Sequence, residues 1–227
     1  MSTPTELEIK YQCLEDLAPP DIEAVALDPY RLGERTEHDL RDTLLDTPSR
    51  AFAQQMVALR LRRDGDRRIV TLKGPKRQEG QALRRDELEV ELEDGHESDP
   101  ATWPEPVREK VVAWSAGEPL QPLFTIRNQR FSWPVYRDQR LVAELTLDRG
   151  RIEAAGLIEA LHEIEIELKE GDAAEIDEIA GKLAVSLPLR HATRGKAERG
   201  FALLLQAVQV LSLPDEDAAP SPGPSDV

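Results

Sequence analysis

The sequence is short of several things, and each shortage excludes a class of chemistry. Its 227 residues include one cysteine, Cys13, so no internal disulfide and no cysteine-based zinc site can form. Aromatic residues make up 4% of the chain, which implies an aliphatic core and little surface on which to stack a base. The histidines, His38, His96, His162 and His191, have no metal-ligand spacing and read as structural or surface groups. No GxxxxGK loop, HExxH pair or Ser/His/Asp set occurs. No stretch approaches the roughly 20 apolar residues of a membrane-spanning helix. The first residues lack the basic, apolar and small-residue order of a signal peptide. A cytoplasmic protein with no membrane partner is expected.

Charge is what the chain has in excess. Charged residues make up 32% of it, and 44 Asp and Glu against 29 Lys and Arg give a net charge of −15. An evenly acidic surface repels DNA, RNA and anionic lipid, so no nucleic-acid partner is expected. The length suits one large domain or two small ones. Residues 1–212 read as one domain, with a soft internal boundary in the loop Asp94–Pro106. Residues 213–227, LPDEDAAPSPGPSDV, lack the apolar content to fold and read as a disordered acidic tail rich in Pro and Ser. Helical spacing is confined to Ser49–Met56, Pro106–Ser115, Asp172–Val185 and Lys196–Leu211.

Most of the remainder alternates with a period of two, and the polar face of each strand is charged. Glu6, Glu8 and Lys10 oppose Leu7 and Ile9; Arg60 and Arg62 oppose Leu59 and Leu61; Thr71 and Lys73 oppose Val70 and Leu72. Arg85, Glu87, Glu89 and Glu91 oppose Leu88, Val90 and Leu92; Glu144 and Asp148 oppose Leu145 and Leu147; Glu163, Glu165, Glu167 and Lys169 oppose Ile164, Ile166 and Leu168. A half-buried antiparallel strand ordinarily turns such a face to water. Here, however, the charges are sorted by strand, with acids at the start and end of the chain and bases between them. Long antiparallel sheets also tend to close into barrels, which removes their edges. A barrel lumen holding both signs needs ligands to neutralise them. Metal cations would suit the glutamates and a polyanion the arginines and lysines; a metal-bound polyphosphate supplies both.

The segment Glu6–Lys10 (ELEIK) fits an ExExK signature. It is followed, in order, by LLDTPS (44–49), ALRLR (58–62), TLKGP (71–75), RRDELEVEL (84–92), TIRNQRFSW (125–133), AELTLDRG (143–150), EIEIELK (163–169) and KAERG (196–200). Together they resemble the CYTH superfamily, the triphosphate tunnel metalloenzymes, from about Thr5 to Leu205. The resemblance implies an α+β fold: a closed eight-stranded antiparallel β-barrel, or tunnel, with helices packed outside.

The same resemblance implies the roles. Glu6, Glu8, Asp148, Glu163 and Glu165 match metal ligands, with Glu167 an extra candidate; oxygen-only donors favour Mg²⁺ or Mn²⁺. Lys10, Arg60, Arg62, Lys73, Arg85, Arg127 and Arg130 match basic positions that grip phosphates inside the tunnel. Lys196 and Arg199 match a basic pair in the segment that closes it. Glu6, Glu8, Lys10, Arg60, Arg62 and Lys73 are the expected catalytic set. Asp46 fits a helix cap better than it fits chemistry. The function implied is metal-dependent hydrolysis of inorganic triphosphate or short polyphosphate. Adenylate cyclisation, thiamine triphosphate cleavage and non-catalytic polyphosphate binding are the alternatives. A homodimer is left open.

Overall fold

A computed structural model of the protein describes residues 5–211. The expected tail, 213–227, lies outside the described residues. In chain order the strands are β1 (Thr5–Cys13), β2 (Tyr30–Leu32), β3 (Thr36–Asp46), β4 (Ala58–Asp64), β5 (Arg67–Lys73), β6 (Arg77–Glu79), β7 (Ala82–Leu92), β8 (Gln121–Arg137), β9 (Arg140–Ala154), β10 (Leu157–Leu168) and β11 (Leu189–His191). The helices are α1 (Pro19–Glu23), α2 (Ala51–Gln54), α3 (Val107–Ser115), α4 (Ala173–Ser186) and α5 (Lys196–Leu211).

Eight strands close on themselves in the order β1-β10-β9-β8-β3-β4-β5-β7, with β7 pairing back to β1 and every neighbour antiparallel. This is the expected tunnel barrel. The short strands β2, β6 and β11 pair with β8, β7 and β1 outside the ring. The period-two reading passed over them because strands of three residues show no alternation.

On two sides of the barrel the aliphatic faces of the strands point away from the lumen and are covered by helices. The side chains of α4, Ile176, Ile179, Ala180 and Leu183, are fully buried against Leu7, Ile9, Leu145, Leu147, Ile164 and Ile166. Burial of each large aliphatic side chain contributes roughly 1.5–3 kcal/mol, which outweighs the weak propensity of any single strand. The helix starts where the sequence said it would: the Asp172 side chain accepts from the Ala174 amide at 3.0 Å, and Glu175 reaches back to the Asp172 amide. On the far side, α3 buries Val107 and Val111 with Trp103 against Leu59, Val70 and Leu72.

The third cluster lies at one end of the barrel. Leu44, Phe124, Ile126, Ile152 and Leu161 meet Leu203 of α5, with Phe201 packed alongside. Helix α5 therefore stops one mouth. Gly200 is what lets it seat, since a Cβ there would run into the ring of Phe124. Among the described residues no helix is long and apolar enough to cross a membrane.

Candidate active site

The barrel encloses a cavity of about 1000 Å³, lined from β1, β3, β4, β5, β7, β8, β9, β10 and the start of α5. Glu6, Glu8, Lys10, Arg60, Arg62, Lys73, Arg85, Arg130, Glu165 and Lys196 all line it. Strand alternation places them there. Each lies in phase with its neighbours across the sheet, as with Glu6 opposite Arg85, Lys10 opposite Glu165, and Arg130 opposite Asp148.

On one side the bases are interleaved with β1 and β7 acids. Arg85 Nε donates to Glu6 at 2.5 Å, and its Nη2 lies 3.0 Å from Glu8. Lys73 Nζ donates to Glu87 at 2.7 Å and lies 3.5 Å from Glu6. Arg60 bridges Thr71 at 2.9 Å and Glu89 at 3.4 Å. Burial pushes the Glu6 carboxyl up, but Lys73 and Arg85 overcome that and hold it well below the usual carboxylate range. Burial, reinforced by Arg85 and Arg60, depresses Lys73 below an ordinary lysine. An added anion beside Lys73 would oppose that depression and favour its charged form.

The other side is an acidic nest around a lysine. Carboxylate oxygens of Asp148, Glu163 and Glu165 all lie within 4.8 Å of one another. The Lys196 ammonium sits among them, 2.7 Å from Asp148 and 2.9 Å from Glu165, with Glu163 also in contact. Arg130 makes a two-pronged contact with Asp148 at 2.7 and 2.6 Å and reaches Glu165 at 2.7 Å. Lys10 donates to Glu8 at 2.6 Å and contacts Glu165. Glu165 is thus compensated three times over: burial raises its carboxyl, but Lys10, Lys196 and Arg130 hold it well below normal. Glu163 goes the other way, raised by burial that Lys196 does not fully offset, with Glu165 adding to it. Three oxygen donors around one positive centre fit a divalent cation as well as they fit an ammonium.

Not every expected residue arrives at the cavity. Arg127 stands on the outer wall, 49% exposed at the side chain and 3.7 Å from Glu153. Arg127 and Arg130 are three residues apart, so a strand must send them to opposite faces; this corrects the tunnel assignment of Arg127. Glu163 and Asp148 are 2% and 0% exposed and lie behind Lys196 instead of lining open space. Arg199 holds Glu159 at 2.5 Å and Glu163 at 3.1 Å, fixing α5 to β10. Asp46 takes the capping role, accepting from the amides of Phe52 at 3.0 Å and Ala53 at 3.2 Å. His38, read as a structural or surface group, lines the cavity, 3.0 Å from Asp64.

Lumen acids also escaped the sequence reading, Asp42 being the most buried of them. Asp42 of β3 is 2% exposed and accepts from Arg62 Nε and Nη2, both at 2.8 Å, with Arg60 3.7 Å away. On β3 the lumen face runs His38, Leu40, Asp42, Leu44, which shows no charged alternation. Its pairing partner on β4, Arg62, was the available signal. Lys76 was also missed; it lines the cavity and is bound to Glu198 of α5.

The CYTH domain matches residues 5–201 of this chain. Over 176 residues the chain is 26% identical to an inorganic triphosphatase of Haemophilus influenzae, which covers 72% of this chain and 46% of that protein. The chain therefore spans about half the length of the curated relative it matches. Among solved structures, a Hippeastrum protein described as an adenylyl cyclase with dominant triphosphatase activity superposes with a TM-score of 0.66 at 20% identity, covering 88% of this chain and 95% of that one. A Pyrococcus horikoshii protein superposes with a TM-score of 0.52 at 23% identity, covering 88% and 98%. At these identities the two structural likenesses bear on the fold alone.

Proposed function

This chain belongs to the CYTH family, and on that premise we propose that it hydrolyses inorganic triphosphate, or short polyphosphate, to diphosphate and phosphate within its barrel. The observation that carries the reading is the convergence of both charges on one cavity. Lys10, Arg60, Arg62, Lys73, Arg85 and Arg130 line the same space as Glu6, Glu8 and Glu165. A bare cation would satisfy only the acids and a bare phosphate chain only the bases. The Haemophilus influenzae relative, an inorganic triphosphatase, supports the same substrate class.

The chain's own groups divide the work. Arg60, Arg62, Arg85 and Arg130 offer planar forks that match phosphate oxygens, while Lys10 and Lys73 act as point charges. Together they orient the phosphate chain and offset charge that builds on the leaving phosphate. Arg60 Nε and Thr146 Oγ1 are buried and have no hydrogen-bond partner among the described residues, and both side chains face the cavity; each is a donor a phosphate oxygen would satisfy. Asp148, Glu163 and Glu165 would hold Mg²⁺ or Mn²⁺, with Glu6 and Glu8 as further oxygen donors. Such an ion, when bound, polarises phosphate oxygens and acidifies water. Lys196, which contacts all three carboxylates here, would be available to the phosphate chain where an ion takes its place among them.

A second reading has one observation in its favour. Ala53, Met56, Val57, Pro75 and Phe201 form an apolar rim at the α5 end of the cavity, where the organic part of a nucleotide or of thiamine triphosphate would sit. No ring among them but Phe201 is available for stacking, so the bare phosphate chain remains the better fit. A phosphate-release screen with triphosphate, ATP and thiamine triphosphate, each with Mg²⁺ and with Mn²⁺, decides between them. The expected result is a kcat/KM for triphosphate at least about a hundredfold above that for ATP, the equivalent of two lost arginine–phosphate contacts. Equal efficiency on ATP sinks the first reading. Cyclic AMP among the products would establish a cyclase, and binding without phosphate release would leave only a polyphosphate-binding module.

A further inference from the structure

The outer wall carries a second concentration of positive charge that the tunnel does not use. In the register of the sheet, Arg68 of β5 stands opposite Arg63 of β4, and Arg63 opposite Arg41 of β3. Arg41 in turn stands opposite Arg127 of β8, and Arg127 opposite Arg151 of β9. Each is one residue out of phase with a cavity-lining neighbour, namely Ile69, Arg62, Asp42 and Ile126 for the first four, so the row faces outward. It crosses five adjacent strands and, at about 4.8 Å per strand, is roughly 19 Å long.

Like charges directly opposed across strands destabilise a sheet. Five in line, on a chain of net charge −15, reverse the local field of the molecule. Compensation is sparse. Arg68 and Arg63 share Glu97, at 3.0 and 3.8 Å. Arg127 and Arg151 share Glu153. Arg41, at the centre, has no ion pair or hydrogen bond among the described residues, and its side chain is exposed, as are those of Arg63, Arg127 and Arg151.

We infer that this row is a binding strip for a linear inorganic polyphosphate chain. Two positions along the strands on either side stand Asp39, Arg149 and Glu153, with Thr43, Thr125 and Gln129. Arg149 is held by Asp16 at 2.5 Å, so away from that one position the row is a single residue wide. Asp39 and Glu153 would repel the second strand of a duplex lying across the wall. A single-stranded nucleic acid draws its affinity from bases stacked on aromatic side chains, and the flanking residues include none. A chain made only of phosphates needs nothing but guanidinium forks in single file. Arg151 lies three residues from the end of β9, whose Ala154 packs in the cluster under α5. One end of a long chain held on the strip would therefore lie near the α5 end of the barrel at high local concentration. The strip rests on the triphosphatase reading only in sharing its substrate class; binding to it requires no chemistry in the tunnel.

The test is equilibrium binding in EDTA, where nothing turns over, of long-chain inorganic polyphosphate, triphosphate and a single-stranded oligonucleotide. The proteins are the wild type and the double variant Arg41→Gln/Arg63→Gln, both positions exposed and remote from the core. The wild type is expected to bind the long chain roughly tenfold more tightly than the variant. The slope of log affinity against log salt should fall in the variant by about one to two, one for each lost phosphate contact. Triphosphate binding, and phosphate release from triphosphate with Mg²⁺, should be equal in the two proteins. Equal affinity of both proteins for the long chain overturns the strip. So does an oligonucleotide of matched charge that binds the wild type as tightly as polyphosphate. A protein that releases no phosphate from triphosphate, yet shows the tenfold difference in binding, sinks the tunnel reading and upholds the strip.

Discussion

At the scale of single residues, Asp42 does the most for its size. It holds the Arg62 fork at 2.8 Å twice over and stands 3.7 Å from Arg60, so it sets the direction of two guanidiniums aimed at the cavity. Replacing it with Asn leaves two buried cations short of a partner, and removing one member of such a pair costs about 3 kcal/mol or more. Burial pushes the Asp42 carboxyl up, but Arg60 and Arg62 overcome this and depress it. A depressed carboxyl contributes stability above its unfolded value, about 4, and loses it as pH falls through the folded value. The gap in unfolding free energy between wild type and Asp42→Asn should thus be full at pH 7 and at pH 5 and close below about pH 4. Denaturant titrations across that range check it; a gap that does not change with pH would show that Asp42 acts through packing alone. Substrate handling should split by sign of charge. Lys73→Ala should mainly raise KM, because its contact exists before and during reaction, whereas Glu8→Gln should mainly lower kcat. Normal turnover by Glu8→Gln at ordinary Mg²⁺ concentrations would remove Glu8 from the metal-binding set.

At the scale of elements, the same residue type has opposite meanings in two helices. Gly181 in α4 has nothing within 4 Å of where a Cβ would stand, while at Gly200 in α5 the Cβ would enter the Phe124 ring. Glycine inside a helix ordinarily costs about 0.5–1 kcal/mol relative to alanine. Gly181→Ala should therefore raise the melting temperature by about 2–4 °C for a chain of this size. Gly200→Ala should lower it, since overpacking a filled site costs about 1–3 kcal/mol, and should raise KM by displacing the helix that carries Lys196. Two thermal melts and one saturation curve suffice; a more stable Gly200→Ala would mean that α5 is not seated on Phe124.

The elements also show what the sequence could reveal. β4 and β10 alternate cleanly, with one kind of charge facing one way, and their lumen faces were legible from five or six residues. β3 was not, because Leu40 and Leu44 share the lumen face with Asp42 and break the pattern at the end that α5 fills with apolar side chains. Arg127 was misplaced although its three-residue offset from Arg130 already forbade a common face. The short strands and the five-residue helix α1 carry too few residues for any period to register.

At the scale of the whole molecule, the lumen is lined by a continuous chain of ion pairs. Glu6, Glu8, Asp42, Glu87, Glu165 and Asp148 each lie within 4 Å of at least one of Lys10, Arg60, Arg62, Lys73, Arg85, Arg130 and Lys196. A bare phosphate chain that takes those bases must strand the acids, and an unpaired buried charge is costly. A divalent cation arriving with it takes the stranded acids. Metal and phosphate chain should therefore bind with positive coupling, each raising the affinity of the other by the same factor. This has a consequence of unexpected sign. Glu165 is an ion-pair partner of three bases, Lys10, Arg130 and Lys196. Glu165→Gln removes that charge and leaves the three bases freer. In EDTA the variant should bind triphosphate more tightly than the wild type, by roughly tenfold for about 1.4 kcal/mol of relieved competition, while its turnover with Mg²⁺ falls. Removing one side chain would then improve binding and impair catalysis together. Calorimetric titration of both proteins in EDTA measures the first effect and phosphate release the second. If Glu165→Gln bound metal-free triphosphate no better than the wild type, the bases would already be free to bind phosphate, and ion-pair exchange would not govern entry to the tunnel.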